Sequence, residues 1–285
     1  MKLILAETGQ KFMTHQTTNN IITNTNIRLS VQITLTGLSF LVTHAQTKET
    51  TYFTEKKFDT PRTPEELLIE LEAIFSTDKA LQQNFDDVNL VYAGSPYTLV
   101  PAALFDENKL SDYLKFNTRI LANDFIAFDN LDNYDIKIVY IPWVNINNYL
   151  FDKFGSFQYY NAISILLKLV MDAEKYSPAN AVYIHVLSDS FDLLVMKNGK
   201  LELCNSYPFK TPEDLIYYIL FSFEQLNLNP DTLDVKLFGK IDVGDSNYEI
   251  IYKYVRHVSF PGKEFLPKSE IKNEDAHHNV VLKSL

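Results

Sequence analysis

The tetrapeptides Thr63-Pro64-Glu65-Glu66 and Thr211-Pro212-Glu213-Asp214 stand 148 positions apart, and each opens an apolar stripe at helical spacing. In both, the threonine hydroxyl can accept a free first-turn amide, and proline needs no amide proton at the first helical position. The acid three residues after the threonine can bond back to the cap. The stripes match as well. Leu67, Leu68, Leu71 and Phe75 in the first are followed 148 positions later by Leu215, Ile216, Ile219 and Phe223 in the second. The first helix is preceded by three strand-like runs, residues 28–34, 38–42 and 50–53, and followed by a buried strand, 88–93, that stops at Gly94. The second is preceded by runs at 181–187, 191–196 and 200–205, and followed by 234–238, which stops at Gly239. Asn198-Gly199 marks a tight hairpin turn, because both residues tolerate positive φ. A strand–strand–strand–helix–strand unit is therefore written twice, which predicts an α/β fold with mixed sheets and an internal duplication.

Four segments follow from this reading: a flexible arm over 1–26, a first lobe over 27–176, a second lobe over 177–260, and a flexible polar tail over 261–285. Met13 within the arm is a candidate start. Between the copies the pattern predicts a helix around 107–115, strands near 125–128 and 136–141, and helices around Val144–Phe154 and 160–175. Pro142 ends the second of those strands.

Composition removes several function classes. A net charge of −10 with no offsetting basic cluster repels phosphate backbones, so no nucleic-acid or anionic-membrane binding is expected. Cys204 is the sole cysteine, which precludes an intramolecular disulfide and a thiolate zinc site and fits a reducing, cytoplasmic setting. No apolar run approaches the roughly 20 residues of a transmembrane segment, and the apolar start is too short for a signal-peptide core. With 46% hydrophobic residues, including 20 Phe and 17 Tyr, the chain has ample material for an aromatic-rich core.

The doubled unit resembles the superfold of actin, sugar kinases and Hsp70-type ATPases. Within it, the chain is similar to the lean bacterial branch that includes the pilus protein PilM and the division protein FtsA. That resemblance implies two ribonuclease-H-like lobes, each opening with a hairpin that carries a phosphate loop of the form apolar-Asp-apolar-Gly. In such a loop the Asp positions Mg²⁺ or water, and the Gly admits phosphate to backbone amides. Here Gln32 and Thr34 take the Asp and Gly positions of the first hairpin, and His185 and Leu187 those of the second. The adenosine-side glycine pair is reduced to Gly239-Lys240. The chain also resembles an uncharacterised bacterial family, the domain of unknown function numbered 3822. That likeness lies in the hairpin over 29–42, Tyr97-Thr98-Leu99-Val100-Pro101 with Leu104-Phe105-Asp106, Val139-Tyr140-Ile141-Pro142, and the hairpin over 189–205. It carries a fold expectation and no activity.

With those positions altered, no catalytic residue, metal or cofactor is assigned. Gln32 brings no carboxylate to Mg²⁺, and Leu187 would obstruct phosphate. A nuclease would need a carboxylate from the first strand, and neither copy has one. His185 reads as a neutral, hydrogen-bonded core histidine, and Ser188-Asp189-Ser190 as a plain turn. Asp129, Asp132 and Asp135 read as a solvated turn, since the Gly and terminal Glu of an EF-hand are missing. His277-His278 read as part of a solvated tail. The helix from Leu215 to Phe223 is apolar nearly all round and is read as buried, with an interface to another chain as the alternative. The reading is a non-catalytic pseudo-ATPase that acts on an unknown protein partner or by self-association. The alternatives are a divergent ATPase or small-molecule kinase, and a PilM-like cytoplasmic assembly adaptor.

Overall fold

A computed structural model describes residues 26–262, 265 and 277–285. The expected arm, apart from Asn26, and the tail over 263–264 and 266–276 lie outside them. The chain divides into two compact units, one up to Ser164 together with Leu285, the other from Ile165 to Ser284.

The first unit begins with β1 (Ile27–Thr34), β2 (Gly37–His44), β3 (Thr50–Lys57), α1 (Pro64–Thr77) and β4 (Asp87–Tyr92). It continues through β5 (Tyr97–Pro101), α2 (Leu110–Leu114), β6 (Ala127–Leu131), β7 (Ile136–Tyr140), α3 (Val144–Phe154) and β8 (Gln158–Asn161). The main sheet has the order β3-β2-β1-β4-β8. β1 runs antiparallel to β2 and parallel to β4, and β8 runs parallel to β4. β5, β7 and β6 form a separate antiparallel sheet, inserted in sequence between β4 and β8.

The next helix, α4 (Ala162–Glu174), crosses the division. The second unit then contains β9 (Asn180–Val186), β10 (Ser190–Lys197), β11 (Lys200–Pro208), α5 (Pro212–Gln225), β12 (Asp234–Gly239), α6 (Ser246–Tyr254), β13 (His257–Ser259) and α7 (Val280–Lys283). Its sheet has the order β11-β10-β9-β12-β13, with the same sequence of antiparallel and parallel pairings as the first. Even the irregularities correspond: the outer hairpin slips register at Val42/Thr43 in one sheet and at Val195/Met196 in the other.

Local sequence explains these elements. The central strands β1 and β9 are hydrogen-bonded on both edges and buried over most of their length; β9 reads as a near-continuous apolar run, whereas β1 alternates Leu29, Val31 and Ile33 with Ser30 and Gln32. The edge strands β3 and β11 both carry Lys and Glu, with Thr in β3 and Asn and Ser in β11, and mix exposed with partly covered positions. Both capping boxes form. Glu66 N donates to Thr63 Oγ1 at 3.3 Å, and Thr63 N to Glu66 Oε2 at 2.9 Å. Asp214 N donates to Thr211 Oγ1 at 3.2 Å, and Thr211 N to Asp214 Oδ2 at 3.1 Å. Leu67, Leu71 and Phe75 are buried, with Phe75 edge-on to Phe40 at 5.5 Å. Leu215, Ile216, Ile219 and Phe223 join Val182, Ile184, Leu193 and Val195 in one core. α5 is not covered all round, however, because Tyr217 and Phe221 stack on its exposed face.

Several short elements differ from expectation. The helix around 107–115 is a 3-10 turn followed by the five residues of α2. The segment expected to be helical from 160 begins as β8, and α4 starts only at Ala162, where Asn161 Oδ1 accepts the Ile163 amide at 2.9 Å. β5, β13 and α6 were not anticipated as elements.

Ile219→Ala should cost about 2–4 kcal/mol and Thr211→Ala about 1 kcal/mol in denaturant unfolding. Tyr217→Ala should stay within about 0.5 kcal/mol, since its ring lies on the exposed face.

Candidate functional site

Register places His185 of β9 opposite Asp192 of β10, and Asp192 opposite Ser206 of β11. Paired residues in a sheet share a face, so three polar side chains form one row across three strands. His185 and Asp192 are buried, the imidazole Nδ1–H donates to Asp192 Oδ2 at 3.0 Å, and the Ser206 hydroxyl donates to Asp192 Oδ1. The carboxylate therefore sits in the middle of the row. A nucleophilic triad needs the imidazole between acid and hydroxyl, so this row is a buried strap and not a serine-activating relay. Neither Asp192 nor Ser206 stood out in the sequence.

The corresponding row in the first sheet is Gln32, Ser39 and Glu55. Gln32 is buried and its Oε1 has no hydrogen-bond partner. At the hairpin tip, Thr34 Oγ1 donates to the Gly37 carbonyl at 3.1 Å and lies 3.3 Å from Thr36 Oγ1. In the second hairpin Leu187 is buried, and its amide closes the turn onto the Ser190 carbonyl at 2.8 Å. Gly239 has φ +87°, and a Cβ there would meet the Val186 carbonyl oxygen at 2.2 Å. Its amide donates to the His277 carbonyl at 2.9 Å. The glycine is thus required by close strand packing, whatever else approaches it.

Magnesium with a triphosphate needs hard carboxylate oxygens and a concave run of free amides. Gln32 and His185 bring no carboxylate, and each oxygen of Asp192 already accepts a hydrogen bond. Leu187 fills its position with a packed side chain, and the Thr34 hydroxyl closes its own turn. The residues at these positions do not fit a magnesium nucleotide.

A second polar centre lies within the first unit. Asp129 sits in β6 and is buried, unlike the exposed Asp132 and Asp135, so the expected solvated turn holds only for the latter two. Strand alternation explains the difference, because Ala127, Asp129 and Leu131 share the inward face. Asp129 accepts from Ser164 Oγ at 2.5 Å, Asn161 N at 2.8 Å and Tyr140 Oη at 2.9 Å. Burial outweighs these three bonds and pushes its carboxyl up to about 7. The same centre continues from Asn161 Nδ2 to Ser95 Oγ at 3.0 Å.

The third cluster overturns an expectation. His277 is buried, and His277 Nε2 and His278 Nε2 lie 3.3 and 3.0 Å from Asp242 Oδ1. Val280, Val281 and Leu282 are buried just beyond, which holds this part of the tail in place. That apolar triplet was the available signal. Burial, and then the neighbouring His278, hold His277 below the usual imidazole value.

The family described as "Protein of unknown function (DUF3822)" matches residues 16–258. Among curated proteins none matches the chain. Among solved structures, it is similar to a Bacteroides thetaiotaomicron protein with an actin-like ATPase fold and unknown function. The two share 20% identity at a TM-score of 0.76 over 91% of this chain and 95% of that one. It is also similar to a chain of the PilM-PilN type IV pilus biogenesis complex, with 9% identity and a TM-score of 0.57 over 90% of this chain and 96% of that one. The fold is thus the actin-like ATPase fold. Among the described residues no helix is long and apolar enough to cross a membrane.

Two outcomes follow. The folded chain keeps a proton on Asp129 up to about pH 7, whereas the unfolded chain releases it near the usual carboxylate value. Its stabilising contribution is therefore full below the usual carboxylate value and is lost progressively as pH rises from there to about 7. The stability difference between the native chain and Asp129→Asn should shift by about 1.4 kcal/mol per pH unit over that window, measured by urea unfolding. Gly239→Ala should cost about 3 kcal/mol or more, read as loss of soluble folded protein or a sharply lowered melting temperature.

Proposed function

The chain belongs to the DUF3822 family, and on that premise we propose that it is a non-catalytic member of the actin-like fold. In this reading it works in the cytoplasm as an interaction or scaffolding protein, on a protein partner or on a second copy of itself. The observation that carries the reading is the state of the two hairpins. Leu187 is packed where phosphate would need an open glycine, and His185 is tied to Asp192 where a free carboxylate would be needed. The two units, as lobes over 27–176 and 177–260, are read as copies of one ancestral unit. Equal strand order, equal register slips and equal capping boxes support that descent.

A PilM-like assembly adaptor is the second reading, favoured by the likeness to a chain of a pilus biogenesis complex. Both readings use the fold as a rigid platform for protein contacts. A divergent ATPase or kinase would need convergent carboxylates elsewhere.

Titration calorimetry of the purified chain with Mg²⁺-ATP should show no saturable heat up to about millimolar nucleotide, and incubation should release no phosphate. Micromolar binding or steady turnover would reverse the reading.

A further inference from the structure

The turn that carries His277 and His278 brings two imidazoles onto a single carboxylate, although neighbours in an extended chain would point apart. The rings lie 4.2 Å apart centre to centre, at 60° to one another. Phe260 backs His277 at 4.1 Å. The Gly239 amide anchors the His277 carbonyl, and the buried Val280–Leu282 triplet fixes the chain on the other side. Asp242 comes from the loop after β12, and its own amide is held by Asp245 Oδ2 at 2.8 Å. All three side chains belong to the second unit and sit on supported backbone.

The spacing of the donor atoms is informative. His277 Nε2 and His278 Nε2 stand 3.3 and 3.0 Å from Asp242 Oδ1, and each of the three residues offers a donor atom within 4.8 Å of the other two. Ligands about 2.0–2.1 Å from a tetrahedral ion are separated by about 3.3 Å, so two of the three edges already have metal-site length. His278 Nε2 is shielded from water and makes no hydrogen bond despite that approach. A buried nitrogen left without a partner costs free energy that a ligand can recover. His277 Nε2 does have a partner, because it lies 2.7 Å from the Ile241 carbonyl. A metal on that nitrogen would displace its proton and its bond to the Ile241 carbonyl, and the neutral ring would then carry its single proton on Nδ1. The Asp242 side chain is 60% exposed, which leaves an entry path and a fourth position for water.

We propose that Asp242, His277 and His278 form a binding site for a divalent transition-metal ion, zinc above all, that clips the C-terminal segment to the loop after β12. Two imidazoles and one carboxylate suit Zn²⁺ and disfavour Mg²⁺ or Ca²⁺, which take oxygen ligands. The site is independent of the scaffolding reading, since no nucleotide or partner enters it.

The test is calorimetric titration of the full chain, stripped with chelator, with Zn²⁺ alone. One ion per chain should bind with micromolar or tighter affinity. His278→Ala and Asp242→Ala truncate side chains that are partly exposed and largely exposed, so both variants should stay folded while losing at least tenfold in affinity. His257→Ala, outside the cluster, should change it less than twofold. Absence of saturable one-to-one binding to the native chain overturns the proposal. A loss smaller than tenfold in both ligand variants overturns it too.

Discussion

Each unit hangs on one strand that is bonded along both edges and buried on both faces: β1 in the first, β9 in the second. Such a strand leaves no backbone group exposed, so it tolerates long apolar runs and makes any polar side chain within it expensive unless a neighbour answers it. The two units meet that constraint differently. In the second, His185 is answered by Asp192, and Asp192 by Ser206, which ties β9, β10 and β11 together through side chains as well as backbone. In the first, Gln32 keeps an oxygen without a hydrogen bond. One hairpin carries a satisfied polar strap, and the other carries a local deficit of about 1–3 kcal/mol.

What could be read from the sequence was whatever is decided within a few residues. The capping tetrapeptides specify helix starts because donor and acceptor lie three residues apart, and both α1 and α5 begin where Thr63 and Thr211 place them. Asn198-Gly199 specified its turn because both residues adopt positive φ, at 50° and 71°. The alternation of Leu29, Val31 and Ile33 placed β1. Short elements escaped because they have little pattern of their own. β8 is four residues long and β13 three, and each exists only because a parallel neighbour offers its edge.

The polar centres were harder to read because register and closure decide them. Asp192 looked like one polar residue in an apolar run, and only the pairing of β9 with β10 sets it against His185. Asp129 looked like part of an Asp/Asn turn, but the turn starts after Leu131 and leaves Asp129 inside β6. His277 meets Asp242 across 35 residues of chain, a contact no local pattern announces. The altered hairpin positions were visible as residue types. The fold decides that Leu187 is packed and that Thr34 is spent on its own turn.

The Asp129 carboxyl has a mechanical consequence for the first unit. Its three donors come from β7, from the end of β8 and from the first turn of α4, so one side chain bolts the inserted sheet, the main sheet and a helix together. None of these can detach alone without stranding the other two donors against a desolvated acid. The inserted segment is therefore not an appendage that can fray while the rest holds. It shares the fate of the main sheet, and the unit should open cooperatively, as a single body.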